Sequence, residues 1–83
     1  MTTPSPEFSD KQGQYLAFIH AYTTINRRPP AVADFQRFFG VTGPTAQGMI
    51  VRLTELGLIT RTPGAARSIE LRVPPELLPV LRP

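Results

Sequence analysis

The chain has 83 residues, enough for one domain with a modest core and too few for a second. It contains no cysteine, which excludes disulfides, zinc fingers and thiol chemistry and is compatible with a reducing cytoplasm. The formal net charge is +3, and every cation but Lys11 is an arginine. Between Arg27 and Arg72 stand seven arginines against Asp34, Glu55 and Glu70, a local balance of +4. The planar guanidinium fork suits phosphates and base edges, so with a sequence pI near 10.2 this is one footprint of a nucleic-acid binder. A soluble domain from an arginine-rich proteome would carry the same charge, and charge alone does not separate the two. No run approaches the ~18 apolar residues of a membrane span. The opening MTTPSPE has neither the basic nor the apolar region of a secretory signal, so the expected location is cytoplasmic, without membrane partners.

In chain order, residues 1–8 predict a flexible, proline-containing arm. Ser9 with Gln12 three residues on fits a capping box, and a first helix follows from Asp10 to near Asn26. Its apolar face comprises Tyr15, Phe18, Ile19, Tyr22 and Ile25, widened by Leu16 and Ala17. Pro29 and Pro30 then forbid continuation. Val32, Phe35, Phe38 and Phe39 recur at helical spacing, predicting a short helix over 32–39 with Gly40 as a left-handed cap. A turn of Val41, Thr42 and Gly43 leads to Pro44 at the first position of a third helix. That helix runs to about Leu56, with Ala46, Met49, Ile50, Leu53 and Leu56 inward and Gly57 as its stop.

The period then changes to that of strands, expected over 58–62 and 68–73 with Pro63 and Gly64 in the turn between them. The tail, 74–83, is proline-rich and apolar, with room for one helical turn. The fold class is therefore α+β, mostly α: three helices followed by a two-stranded β-hairpin wing, occupying residues 9–73.

A helix, a short glycine-containing turn, a helix with a small polar opening face and then an arginine-bearing hairpin make a winged helix-turn-helix. In that motif the third helix enters the major groove of double-stranded DNA and the hairpin rides the phosphates. Approach to base edges asks for small or hydrogen-bonding side chains in the first turns, which Thr42, Gly43, Thr45, Gln47 and Gly48 supply. Arg52 follows one turn on, within reach of a flanking phosphate. Arg27 and Arg28 before the Pro-Pro corner, and Arg61 and Arg67 on the wing, are further phosphate candidates. Solvation is the plainer reading of the first pair.

At these residues the chain resembles the N-terminal DNA-binding domain of the LexA repressor family, within the wider winged-helix group that includes MarR-type regulators. The stretches KQGQYLAFIHAY, RPPAVADFQRFFGVTGPTAQ and GLITRTPGAARSIEL carry the resemblance, from about Phe8 to Val73. By position it implies base-edge contacts from Gly43, Thr45, Ala46, Gly48 and Met49. Where the family's repressor has an asparagine this chain has Thr45, and where it has glutamates this chain has Gly48 and Met49. The family's operator is therefore not carried over. The repressor's self-cleaving domain, with its serine and lysine, has no counterpart in these residues, so autoproteolysis and that domain's dimer interface are not expected.

Other features take plain readings. Phe35, Phe38 and Phe39 are placed in the core rather than read as base-stacking platforms. Tyr15 and Tyr22 are expected half-buried with hydroxyls reaching water, and His20 solvated. Asp10, Asp34 and Glu55 are assigned to capping and surface pairing. No paired carboxylates, nucleophile elbow or phosphate-cradling glycine loop appears, so no enzyme, cofactor or metal is expected. Gly48 inside a helix is unfavourable by about 1 kcal/mol relative to alanine, which fits close approach to DNA, packing against another helix, or drift.

The functional expectation is a DNA-binding transcriptional regulator, a repressor, acting as a homodimer on a palindrome. Leu77, Leu78, Val80 and Leu81 in the tail and the exposed flank of helix 1 are its candidate dimer surfaces. A winged-helix protein-interaction module, and an accessory DNA binder of a mobile element, stand as alternatives.

Overall fold

The computed structural model describes residues 8–82, so the expected arm is seen only at Phe8. Helix α1 spans Asp10–Asn26, and its capping box closes in both directions. Ser9 Oγ accepts from the Gln12 amide at 3.1 Å, and Gln12 Oε1 accepts from the Ser9 amide at 2.9 Å. The helix ends where Arg27 takes a left-handed conformation, φ 58°, and donates its amide to the Thr23 carbonyl. Tyr15, Leu16, Phe18 and Ile19 form its core face. Ile25, expected on that face, is 78% exposed, because the last turn, with Thr23, Thr24 and Asn26 also exposed, runs past the elements that cover the rest.

Helix α2 spans Val32–Phe39, its ends set by local chemistry. The Asp34 carboxylate accepts from the Ala31 amide at 2.7 Å, and Gly40, φ 65°, closes the other end. Its aromatic rings meet those of α1. Tyr15 stacks on Phe39 with centroids 4.2 Å apart, and Phe18 meets Phe35 edge-on at 5.0 Å. The three phenylalanines thus pack inward as expected. Tyr15 does not stay half-buried: it is enclosed, and burial pushes its hydroxyl pKa up.

Helix α3 spans Gly43–Glu55. Its cap is Thr42, whose Oγ1 accepts from the Thr45 amide at 3.3 Å, so the helix starts one residue earlier than expected and Pro44 is its second residue, not its first. Ala46, Ile50 and Leu53 are fully buried beneath α1 and α2. Leu56, expected inward, is 40% exposed at the C-cap, beyond the turn that packs.

Strands β1 (Ile59–Thr60) and β2 (Glu70–Leu71) pair antiparallel, Ile59 opposite Leu71 and Thr60 opposite Glu70. The hairpin is shorter in ladder than expected because a side chain closes its outer part. Ser68 Oγ accepts from the Thr62 amide at 2.8 Å and lies 3.1 Å from the carbonyls of Thr62 and Ala65. Inward-facing Ile59, Ile69 and Val73 complete the core.

The tail makes a 3₁₀ turn over Pro75–Leu77 and then folds back along α1. The Gln14 side-chain amide holds its last residues, donating to the Val80 carbonyl at 2.9 Å and accepting from the Arg82 amide at 2.8 Å. Gly13 sits under this crossing, where a Cβ would lie 3.0 Å from both the Phe8 ring and Pro79. Phe8, Leu78 and Leu81 therefore pack on the chain's own core, leaving Leu77 and Val80 as the apolar side chains the tail exposes.

Candidate nucleic-acid interface

The burial of Ala46, Ile50 and Leu53 fixes which side of α3 faces out. Helical geometry turns Pro44, Thr45, Gly48, Val51, Arg52 and Glu55 to the opposite face, and all six are exposed. Thr42 is exposed at the cap, Gly43 is half-buried against the Gln36 side chain, and Gln47 lies half-buried on the flank toward the wing. Two members of the expected set fall on the wrong side. Ala46 has no exposed surface and cannot meet a base, and Met49 packs half-buried against the core. The helical period decides against them. Position-by-position carry-over from a resemblance does not register that the side chain points inward.

Gly48 acquires a clearer meaning. A Cβ there would meet nothing within 4 Å, so no packing among the described residues requires glycine. A helix-interior glycine facing open space still forgoes about 1 kcal/mol relative to alanine. Close packing against another helix of this chain is thereby removed from the readings of this residue.

The wing lies beside this face. Arg61 borders two shallow clefts. One of about 240 Å³ is lined by Val32, Gln47, Gly64, Ala65, Ala66, Ser68 and Ile69. The other, of similar size, is lined by Val51, Thr54, Glu55 and Pro63. The Arg61 stem thus spans from the hairpin to the outer face of α3. Arg27 and Arg28 are exposed at the end of α1, and none of these three arginines forms an ion pair among the described residues. Arg52 lies 3.8 Å from Glu55, both well exposed, a contact that water screens.

Arg67 departs from the expectation for the wing. Its Nη1 donates toward Asp34 Oδ2 at 3.0 Å, the Tyr22 hydroxyl at 3.1 Å and the Pro29 carbonyl at 3.1 Å, and its guanidinium sits over the Tyr22 ring. The other carboxylate oxygen of Asp34 pairs with Arg37. Burial would raise the Asp34 carboxyl pKa, but the Ala31 amide and the Arg67 guanidinium outweigh it and hold the pKa below the usual carboxylate range. The cause is proximity to a buried acid. Asp34, only 6% exposed, needs a counter-charge, and the hairpin brings Arg67 to it. Asp34 is accordingly a cap paired at the surface with Arg37, as expected, but it also pairs across the fold with Arg67, and the Tyr22 hydroxyl meets Arg67 rather than only water. Thirty-three residues separate Asp34 from Arg67, and no local pattern announces the pair. Pro44 and Val51, also missed, were legible: counting back from the inward Ala46, Ile50 and Leu53 puts both on the outer face.

The chain matches the LexA DNA binding domain model over residues 5–68. It belongs to that family. This LexA-type domain is 32% identical over 74 residues to the LexA repressor of Thermosipho africanus (strain TCF52B), an alignment covering 89% of this chain and 37% of that protein. To the LexA repressor of Thermosipho melanesiensis (strain DSM 12029 / CIP 104789 / BI429) it is 34% identical over 65 residues, 78% of this chain and 33% of the relative. The chain therefore spans only about a third of the length of these relatives. The three helices and two-stranded antiparallel sheet agree with a winged helix of this family. Among the described residues no helix is long and apolar enough to cross a membrane.

Proposed function

We propose that this LexA-type domain is the DNA-reading part of a cytoplasmic transcriptional repressor. Helix α3 enters the major groove by its outer face, with Thr45, Gly48 and Gln47 nearest the base edges, and Arg52, Arg61, Arg27 and Arg28 reach flanking phosphates. The observation that carries this reading is a helix face stripped of bulk at Gly48, with Arg52 on that face in only a water-screened contact with Glu55 and Arg61 beside it without an ion pair among the described residues. Arg67 is left out of the phosphate contacts because its guanidinium is held inward by the buried Asp34 carboxylate. The role is occlusion of a promoter by binding, with no bond made or broken by the chain's own residues.

One winged helix reads about half a site, so the domain binds a palindrome as a homodimer. Away from the outer face of α3, Ile25, Leu56, Leu77 and Val80 are exposed apolar side chains available to such contacts. A fluorescence-anisotropy titration against random duplex DNA at several salt concentrations tests the docking. Four phosphate contacts give a log–log slope of about −3 to −4. Binding no tighter than to heparin, or independent of salt, would reject it. Sedimentation of the complex with a selected palindrome tests the dimer, and a single protein per site would exclude it.

A further inference from the structure

Two positions on the outer face of α3 break local rules with nothing among the described residues to compensate. Gly48 is one. Val51, three residues on and on the same face, is the other: a β-branched side chain in a helix interior, 44% exposed. A single exposed aliphatic residue is ordinary on a protein surface. A single exposed aliphatic residue directly below an unexplained glycine, on the face that turns toward DNA, is a different observation. The glycine lets a groove floor come close to the helix backbone, and the next side chain met along that line is then Val51. Its surroundings set what it meets there. Arg52 is its neighbour in sequence, and Arg61 and Pro63 of the wing share its cleft. Cations on either side hold a polyanion against an apolar spot between them.

The major groove offers one apolar group for such a spot, the 5-methyl of thymine, since the other base edges there are hydrogen-bond donors and acceptors. Resting on the docking described above, we infer that Val51 is a specificity-determining residue that reads the 5-methyl group of a thymine. The Thr54 hydroxyl, at the edge of the cleft, is turned to its own helix, donating to the Ile50 carbonyl at 2.8 Å, so it does not compete as a polar partner for a base edge there. Glu55, which also lines the cleft, lies toward Arg52 and adds an acceptor that disfavours a phosphate at this point.

The test is a pair of selections from a random duplex library, with the wild-type domain and with Val51→Ala. The wild-type site is then scanned by replacing each thymine with deoxyuridine, which removes only the methyl. Val51 is exposed and alanine favours helix, so the variant folds, as circular dichroism would verify. The wild type is expected to enrich a thymine that the variant leaves degenerate. Deoxyuridine at that position should weaken wild-type binding about fourfold, the worth of one buried methyl, and leave the variant unaffected. A flat deoxyuridine scan in the wild type, or an equal penalty in Val51→Ala, overturns the assignment while leaving the groove docking intact. No binding to any duplex would instead remove the docking itself and this inference with it.

Discussion

Arg61 and Arg67 stand on either side of the same turn of the hairpin, yet they serve different partners. Arg61 lies along the outer face of α3 with no ion pair among the described residues, whereas Arg67 reaches inward to Asp34, Tyr22 and Pro29. Counting charges on a wing therefore overstates its phosphate contacts. A buried carboxylate within reach recruits the nearest guanidinium, because an unpaired acid in a low-dielectric setting is far less stable than a phosphate contact forgone. The inner arginine ties the wing to α2, and the outer one is the phosphate contact proposed above.

This contrast can be broken at several points. The largest effect is expected from Asp34→Ala, which orphans the Ala31 amide and separates the wing from α2. A loss of about 1–3 kcal/mol is expected, read from the urea midpoint. The same carboxylate gives a pH signature. Its folded pKa lies below its unfolded value, so its contribution is complete above the unfolded pKa near 3.8 and fades as pH falls through the lower folded value. Urea midpoints measured from pH 5 downward should fall for the wild type and fall less for Asp34→Asn.

Next in size are the two arginines themselves. Arg61→Ala should leave the urea midpoint unchanged and make the salt slope of DNA binding shallower by about 1. Arg67→Ala should lower the midpoint and leave the slope as it was. An exchange of these outcomes would assign the phosphate contact to the wrong arginine. Gly48→Ala is expected to have the smallest effect, raising stability by about 1 kcal/mol while weakening DNA binding. Unchanged affinity in that variant would mean that the helix does not approach DNA there.

Much of the fold was legible because its signals are local. The Ser9–Gln12 capping box, the Pro-Pro corner and the cap at Gly40 fix α1 and α2 to the residue, and none depends on a distant partner. Alternation that continues through Ser68 predicts longer strands than form, because that residue's hydroxyl closes the loop in place of ladder bonds. The tail looked like an open apolar surface, and only a contact across 66 residues, Gln14 to Val80, reveals that Leu78 and Leu81 belong to the core. At the interface, the exposed face of α3 and the inward turn of Ala46 both follow from the helical period, but the capture of Arg67 follows from which elements come to lie beside it.

The left-handed Arg27 has a consequence for anyone selecting hardier versions of this domain. A non-glycine residue in that conformation forgoes roughly 1–2 kcal/mol, which glycine would recover. Heat-driven selection without DNA present would drift toward glycine at residue 27, and on the docking proposed above the survivors would melt later and bind DNA less firmly.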